Sequence, residues 1–124
     1  MAVDERYPLA LPIGSILAGQ YIIDQVLGQG GFGITYIAWD RKLEKAVAIK
    51  EFFMKEYCNR DTSTSHISVG TEGSVDMVRD FRQKFLKEAQ LIAHLEDAPH
   101  VVRIHDIFEE NNTAYYVMEF LGGG

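Results

Sequence analysis

Two periods divide the chain. Residues 21–27 and 34–39 are largely β-branched, apolar or aromatic, and between them stands Gly28-Gln29-Gly30-Gly31-Phe32-Gly33. Strand-forming stretches on both sides of a glycine run predict strand, turn, strand. Residues 40–44 are charged and turn-like, and Ala46-Val47-Ala48-Ile49-Lys50-Glu51-Phe52-Phe53 predicts a third strand, so the three form an antiparallel meander. The period then changes. Val78, Phe81, Phe85, Ala89 and Ile92 recur at three- and four-residue spacing, with Lys and Arg filling the other face. This predicts one main helix over about residues 75–96, with Ser74 as N-cap and Pro99 forbidding continuation. Residues 101–108 and 114–121 predict a second hairpin, turning at Glu109-Glu110-Asn111-Asn112. Two stretches carry no period. Residues 1–19, punctuated by Pro8, Pro12 and Gly14, read as an extended leader lying along the body. Residues 54–74 are polar and rich in Ser and Thr, and read as a long connection outside the core.

Composition narrows the function classes. With 124 residues, 47% of them apolar, the chain is one domain with one core. The formal charge is -6 and no stripe of Lys and Arg exists to neutralise phosphates in a row, which excludes nucleic acid as the expected partner. The apolar run at residues 9–17 is broken by proline and glycine, so no membrane contact is expected of this segment. Asp4 and Glu5 spoil a secretory signal, and a cytoplasmic location follows. Cys58 stands alone and reads as an inert small hydrophobe. His66, His94, His100 and His105 lack metal-ligand spacing, so no metal site is expected within the chain.

The candidate chemistry begins at the glycines. Gly28-x-Gly30-x-x-Gly33 is shared by dinucleotide-binding folds and by kinases, and a glycine hairpin that binds nothing is the bland alternative. A dinucleotide fold needs a helix to open at the third glycine, whereas the residues after Gly33 are strand-like. Glu51 stands roughly where such a fold keeps its ribose-binding acid, but after a strand that starts in the wrong place. A strand on each side makes the loop a flap over phosphates, with Phe32 at its tip to exclude water.

Strand alternation puts Ala48 and Lys50 on one face and Val47, Ile49 and Glu51 on the other. Under the flap, Ala48 offers a small apolar surface to a base and Lys50 a mobile charge to phosphate oxygens. Glu88 falls among Phe81, Phe85, Ile92 and Leu95 on the helical wheel. A carboxylate in that stripe costs roughly several kcal/mol unless a cation meets it, and Lys50 is the natural partner; the bland alternatives are an ordinary surface lysine at a strand end and a carboxylate at the edge of the stripe reaching solvent. Moving the helix outward would break the pair, which makes it a switch as well as a site.

With these residues in hand, the chain resembles the protein kinases, and more narrowly the bacterial Ser/Thr kinases of eukaryotic type. The glycine loop, Val47-Ala48-Ile49-Lys50 and Glu88 match that family's glycine-rich loop, third-strand lysine and helix C glutamate in order and spacing. The resemblance implies an α+β, kinase-like N-lobe over residues 20–121: a five-stranded antiparallel sheet packed on one main helix, helix C. Residues 54–74 become a long insertion, and residues 119–122 the hinge. Residues 122–124 begin the link to a C-lobe outside the chain. Lys50 and Glu88 take the catalytic roles. Leu27, Gly28, Gln29, Gly30, Gly31, Phe32, Gly33, Thr35, Ala48, Lys50, Met118 (the gatekeeper), Glu119 and Leu121 would hold ATP. Leu27 and Ala48 would sandwich the base, main-chain groups of Glu119 and Leu121 would meet its edge, and Ile92 with Ile104 would continue an apolar spine. Thr35 departs from the family's usual valine and weakens the apolar ceiling. Nothing resembles the His-Arg-Asp catalytic loop or the Asp-Phe-Gly metal ligand, so Mg2+ is expected to be held by the C-lobe. The implied activity is γ-phosphoryl transfer from ATP to protein Ser/Thr by the whole protein, with the segment by itself inactive and prone to self-association through its uncovered cleft side. The alternative is a pseudokinase or scaffold lobe that binds nucleotide or partners without catalysis.

Overall fold

The computed structural model describes residues 3–95 and 103–120. Its elements are β1 (Ile16–Leu17), β2 (Tyr21–Gln29), β3 (Gly33–Asp40), β4 (Lys45–Phe52), β5 (Cys58–Arg60), β6 (Ile67–Val69), α1 (Val75–Ala93), β7 (Ile104–Glu110) and β8 (Thr113–Glu119). Six strands form one antiparallel sheet in the order β1-β2-β3-β4-β8-β7, and β5 pairs with β6 in a separate two-stranded sheet. The main sheet thus has six strands where the sequence predicts five. The extra strand comes from the leader, where Ala18 and Gly19 both take left-handed backbone (φ 52° and 63°) and the Gln20 amide donates to the Leu17 carbonyl over 2.9 Å. That tight turn folds Ile16 and Leu17 back onto β2. Two residues are too few to show a period.

Turn chemistry sets the other corners. Asp40 ends β3, and its carboxylate accepts the amides of Lys42 (2.9 Å) and Leu43 (3.2 Å), closing the charged turn before β4. Asn111 and Asn112, at φ 55° and 60°, make the two-residue turn from β7 to β8. Ser74 precedes α1 without a side-chain cap; a 3-10 turn over Glu72–Ser74 leads in instead, and the Thr71 hydroxyl bonds the Ser74 hydroxyl at 2.8 Å. Residue 96, the last of the predicted helix, lies outside the described residues, as does Leu121.

Directly opposed residues in an antiparallel sheet share a face. Thr35, Lys50 and Tyr116 form one row and Ile37, Ala48 and Met118 the next, all on one face. Ile34, Glu51, Tyr115 and Phe108 form a row on the other, beside Tyr36, Ile49 and Val117. The Glu51 face curls inward, so that Tyr21 of β2 reaches β7: its hydroxyl donates to Asp106 Oδ2 over 2.9 Å and its ring stacks on Phe108 at 5.9 Å. Burial, then the Asp106 carboxylate, pushes the Tyr21 hydroxyl pKa up. α1 packs on the Lys50 face, with Phe85 against Phe52 at 5.6 Å and Tyr116 at 5.0 Å.

The leader and the 54–74 insertion close the Glu51 face, and here the structure corrects the expectation of a connection outside the core. Met54, Cys58, Arg60 and Ile67 are buried, as are Ala10, Leu11 and Leu17 of the leader. Their reason for being there is Glu51, whose side chain is fully buried. Arg60 Nη2 donates to Glu51 Oε1 at 2.5 Å, the Tyr36 hydroxyl to the same oxygen at 2.7 Å, and the Tyr115 hydroxyl to Oε2. Burial, then the Glu51 charge, drives both tyrosine pKa values up, which keeps the hydroxyls as donors. Arg60 also donates to the carbonyls of Leu9 (2.8 Å) and Ser65 (2.9 Å), and the Leu11 amide to the Tyr36 hydroxyl (3.0 Å), so leader and insertion share one knot. No buried side-chain polar atom among the described residues lacks a partner.

Removing the cation strands a buried carboxylate. Arg60→Met is expected to lower unfolding free energy by about 3–5 kcal/mol. Arg6→Ala, which breaks the exposed pair with Asp4, is expected to change nothing measurable. Urea denaturation of both variants checks this, and equal midpoints would sink it.

Candidate nucleotide-binding cleft

The glycines bridge β2 and β3. The Gly30 amide donates to the Gly33 carbonyl at 2.9 Å, and the Phe53 amide to the Phe32 carbonyl at 3.0 Å, which lays the loop against the end of β4. Gly28, Gly30 and Gly31 have open space where a Cβ would stand. Gly33 does not: a Cβ there would come within 2.9 Å of the Glu51 carbonyl oxygen and 3.4 Å of Lys50 Cε. The bare backbone at the third glycine therefore lies against the stem of the lysine, a close approach only glycine permits.

Lys50 is half-buried, directly opposite Thr35 on β3 and Tyr116 on β8. Ala48 is buried between Ile37 and Met118, and Met118 in turn faces Ile104. Leu27 and Phe32 are exposed, and Thr35 and Met118 half-buried. Gln29 is half-buried at the end of β2. Glu119 is exposed, and its amide donates to the Arg103 carbonyl at 2.9 Å. Ile92 and Ile104 are both half-buried. Between sheet, loop and helix lies a cavity of about 520 Å³ whose walls include Phe32, Lys50, Phe81, Phe85, Glu88 and Leu91. It is an open cleft lined mainly by apolar side chains with lysine ammonium groups at its margin, the general make-up of a small-molecule site.

Lys50 and Glu88 face this same cavity, yet they do not pair. The ion pairs among the described residues are Asp4–Arg6, Glu51–Arg60, Asp76–Arg79 and Asp80–Arg79. The expectation of a buried Glu88 is corrected with them, because its side chain is exposed. α1 buries Val78, Phe85 and Ala89 against the sheet, and Glu88 lies roughly 60° round the helix from Phe85, at the margin of that line. Phe81 and Ile92 are half-buried, and Leu91 and Leu95 exposed. Glu88 still faces the sheet closely enough that its charge, after burial, raises the Tyr116 hydroxyl pKa.

Sequence reasoning missed the Glu51–Arg60–Tyr36–Tyr115 network directly behind Lys50. The signal was available: alternation puts a carboxylate on the face of Val47 and Ile49, where it needs a cation. No group of three His, Cys, Asp or Glu among the described residues gathers to hold a metal ion.

The protein kinase domain family matches residues 21–124. This chain belongs to that family. Among curated relatives, the serine/threonine-protein kinase PrkC of Bacillus subtilis is 33% identical over 111 residues, 90% of this chain and 14% of that protein. PksC of Streptomyces coelicolor, also a serine/threonine-protein kinase, is 30% identical over 113 residues, 88% of this chain and 17% of its own. A solved structure described as the apo form of PpkA-294 superposes with a TM-score of 0.85 at 31% identity, covering 90% of this chain and 39% of that one. A mutant kinase domain of Mycobacterium tuberculosis PknI gives 0.61 at 21% identity and shares the fold. The chain thus has the curled sheet and single main helix of a kinase N-lobe, and spans a minor part of the relatives it matches.

Because a Cβ at the third glycine would strike β4 and one at the others would meet open space, this kinase loop is expected to tolerate alanine unequally. Gly33→Ala should cost roughly 1–3 kcal/mol through overpacking, and Gly31→Ala under about 0.5 kcal/mol. Thermal unfolding of the two variants checks it, and the reverse ranking would contradict the close approach.

Proposed function

We propose that this chain is the ATP-binding N-terminal lobe of a serine/threonine protein kinase. The observation that carries the proposal is the seating of Gly33 on the Lys50 stem. The glycine loop and the lysine meet there at the cleft, and backbone amides beside an ammonium group are chemistry suited to phosphate oxygens. ATP, when bound, supplies the phosphoryl group to be transferred. In this reading Gly28, Gln29, Gly30, Gly31, Phe32 and Gly33 cover the phosphates and exclude water, and Lys50 orients them. Leu27, Thr35 and Ala48 hold the base against the sheet, Met118 bounds the pocket behind it, and the Glu119 carbonyl meets its edge. Leu121 is assigned to the same edge and lies outside the described residues. Glu88 is assigned to steady Lys50 once α1 moves toward β4. Mg2+ ligands are assigned to a C-lobe, on the resemblance to the kinase family.

The whole protein's activity is proposed to be γ-phosphoryl transfer to Ser or Thr of a protein substrate, as the names of PrkC and PksC state for those proteins. Residues 1–124, lacking the catalytic loop, are proposed to bind ATP weakly and transfer nothing. A cytoplasmic location and no nucleic-acid partner fit the net charge of -6. No helix among the described residues is long and apolar enough to cross a membrane. The exposed Phe32 and Leu91, which line the cleft, support docking by the C-lobe and, in its absence, self-association. A second reading, a pseudokinase or scaffold lobe, draws on the unpaired Lys50 and Glu88.

In the whole kinase, Lys50→Met is expected to lower phosphotransfer by about a hundredfold or more with the unfolding midpoint unchanged. A radiometric assay beside thermal unfolding checks both, and undiminished transfer would refute the role of Lys50. A wild-type protein with no transfer at all would favour the scaffold reading. For residues 1–124, calorimetric titration is expected to show ATP affinity weaker than micromolar; tighter binding would contradict a half-built pocket.

A further inference from the structure

The glycine flap meets the helix through an aromatic pair. Phe32 and Phe81 lie with ring centroids 5.5 Å apart and planes tilted by 35°, and Lys84 Nζ stands 5.2 Å from the Phe81 centroid on the same helix. Both pairings are favourable for aromatic rings. The rest of the tip is held by backbone alone: the Phe53 amide donates to the Phe32 carbonyl at 3.0 Å, side chains at Gly28, Gly30 or Gly31 would meet no neighbour within 4 Å, and the Phe32 residue is still 57% exposed. The Phe32 ring is thus turned toward α1 and forms a wall of the cavity it shares with Lys50 and Glu88. Phosphates reaching Lys50, or the Glu88 carboxylate moving toward it, must enter that same space.

We propose that Phe81 is a positioning residue for the glycine flap: by stacking on Phe32 it holds the tip folded toward the helix, so that nucleotide phosphates compete with the helix for the cleft. This inference rests on the nucleotide assignment above. It gives the flap two arrangements. In one, Phe32 rests on Phe81 and keeps Lys50 and Glu88 apart. In the other, Phe32 swings off the helix, the loop amides are free to cover phosphates, and α1 can close on β4. Phe81 also borders the cavity, so the flap exchange rates, which a direct nucleotide contact would not move in the absence of ATP, carry the distinction.

The test uses the chain carrying Phe81→Ala, Phe81→Leu or Phe81→Tyr, the leucine keeping apolar packing and the tyrosine keeping the ring. Amide hydrogen exchange at Gly30, Gly31, Phe32 and Gly33 is expected to speed up in the alanine and leucine variants and to return to the wild-type rate in tyrosine. Exchange at amides 85–91 of α1 is expected to hold steady in the leucine variant. ATP titration should show the dissociation constant falling about two- to tenfold in alanine and leucine, with tyrosine like wild type. Unchanged flap exchange, or equal acceleration in flap and helix for the leucine variant, overturns the inference. So does ATP bound equally by all variants. ATP bound by none of them, wild type included, overturns the competition together with the nucleotide assignment, and that pattern separates the two failures.

Discussion

A carboxylate fully withdrawn from water is costly unless a cation and hydrogen bonds replace its solvent, and Glu51 is such a group at the centre of this lobe. Arg60, Tyr36 and Tyr115 supply the replacement. Each of them brings a different piece of chain. Arg60 belongs to the insertion and also holds the carbonyl of Leu9, Tyr36 belongs to β3 and receives the amide of Leu11, and Tyr115 belongs to β8 and receives the side-chain amide of Asn111. One acidic side chain thereby fastens leader, insertion and sheet together. Phe53 adds a ring 5.4 Å from the Arg60 guanidinium, so the ionic knot is wrapped in aromatic surface.

The consequence for the cleft follows from strand alternation. Glu51 and Lys50 are neighbours pointing to opposite faces, so anchoring the first inside the curled sheet fixes the backbone from which the second projects. Gly33 presses on the same stretch of β4 from the other hairpin. The lysine side of the cleft is therefore built on well-packed strands. The helix side is different: Phe85 seats α1 on Phe52 and Tyr116, while Glu88, Phe81 and Leu91 border open space. On the function proposed above, the ammonium assigned to the phosphates stands on a well-packed strand, while the groups assigned to complete its surroundings border open space.

Much of the fold was legible along the chain because it depends on near neighbours. The glycine hairpin, the two-asparagine turn, the strand of Lys50 and the helical period of Val78, Phe85 and Ala89 each follow from local backbone preference and spacing. Their order also carries the kinase resemblance, which the family match over residues 21–124 bears out. By itself, then, the sequence determined the five long strands, the main helix, their succession and which residue types crowd around the glycine loop, and not the short strands of the leader and the insertion.

Only the tertiary structure decided which charges meet. Strand alternation places Glu51 on a buried face but cannot name its cation, and Arg60 sits in a polar stretch that reads as loop until the leader and insertion fold over it. The helical wheel likewise places Glu88 near an apolar stripe but not how far α1 turns against the sheet, and that rotation is set by Phe85 packing between Phe52 and Tyr116. Such partnerships join residues distant along the chain, and their energy depends on solvent exclusion created by the finished fold, which no local spacing encodes.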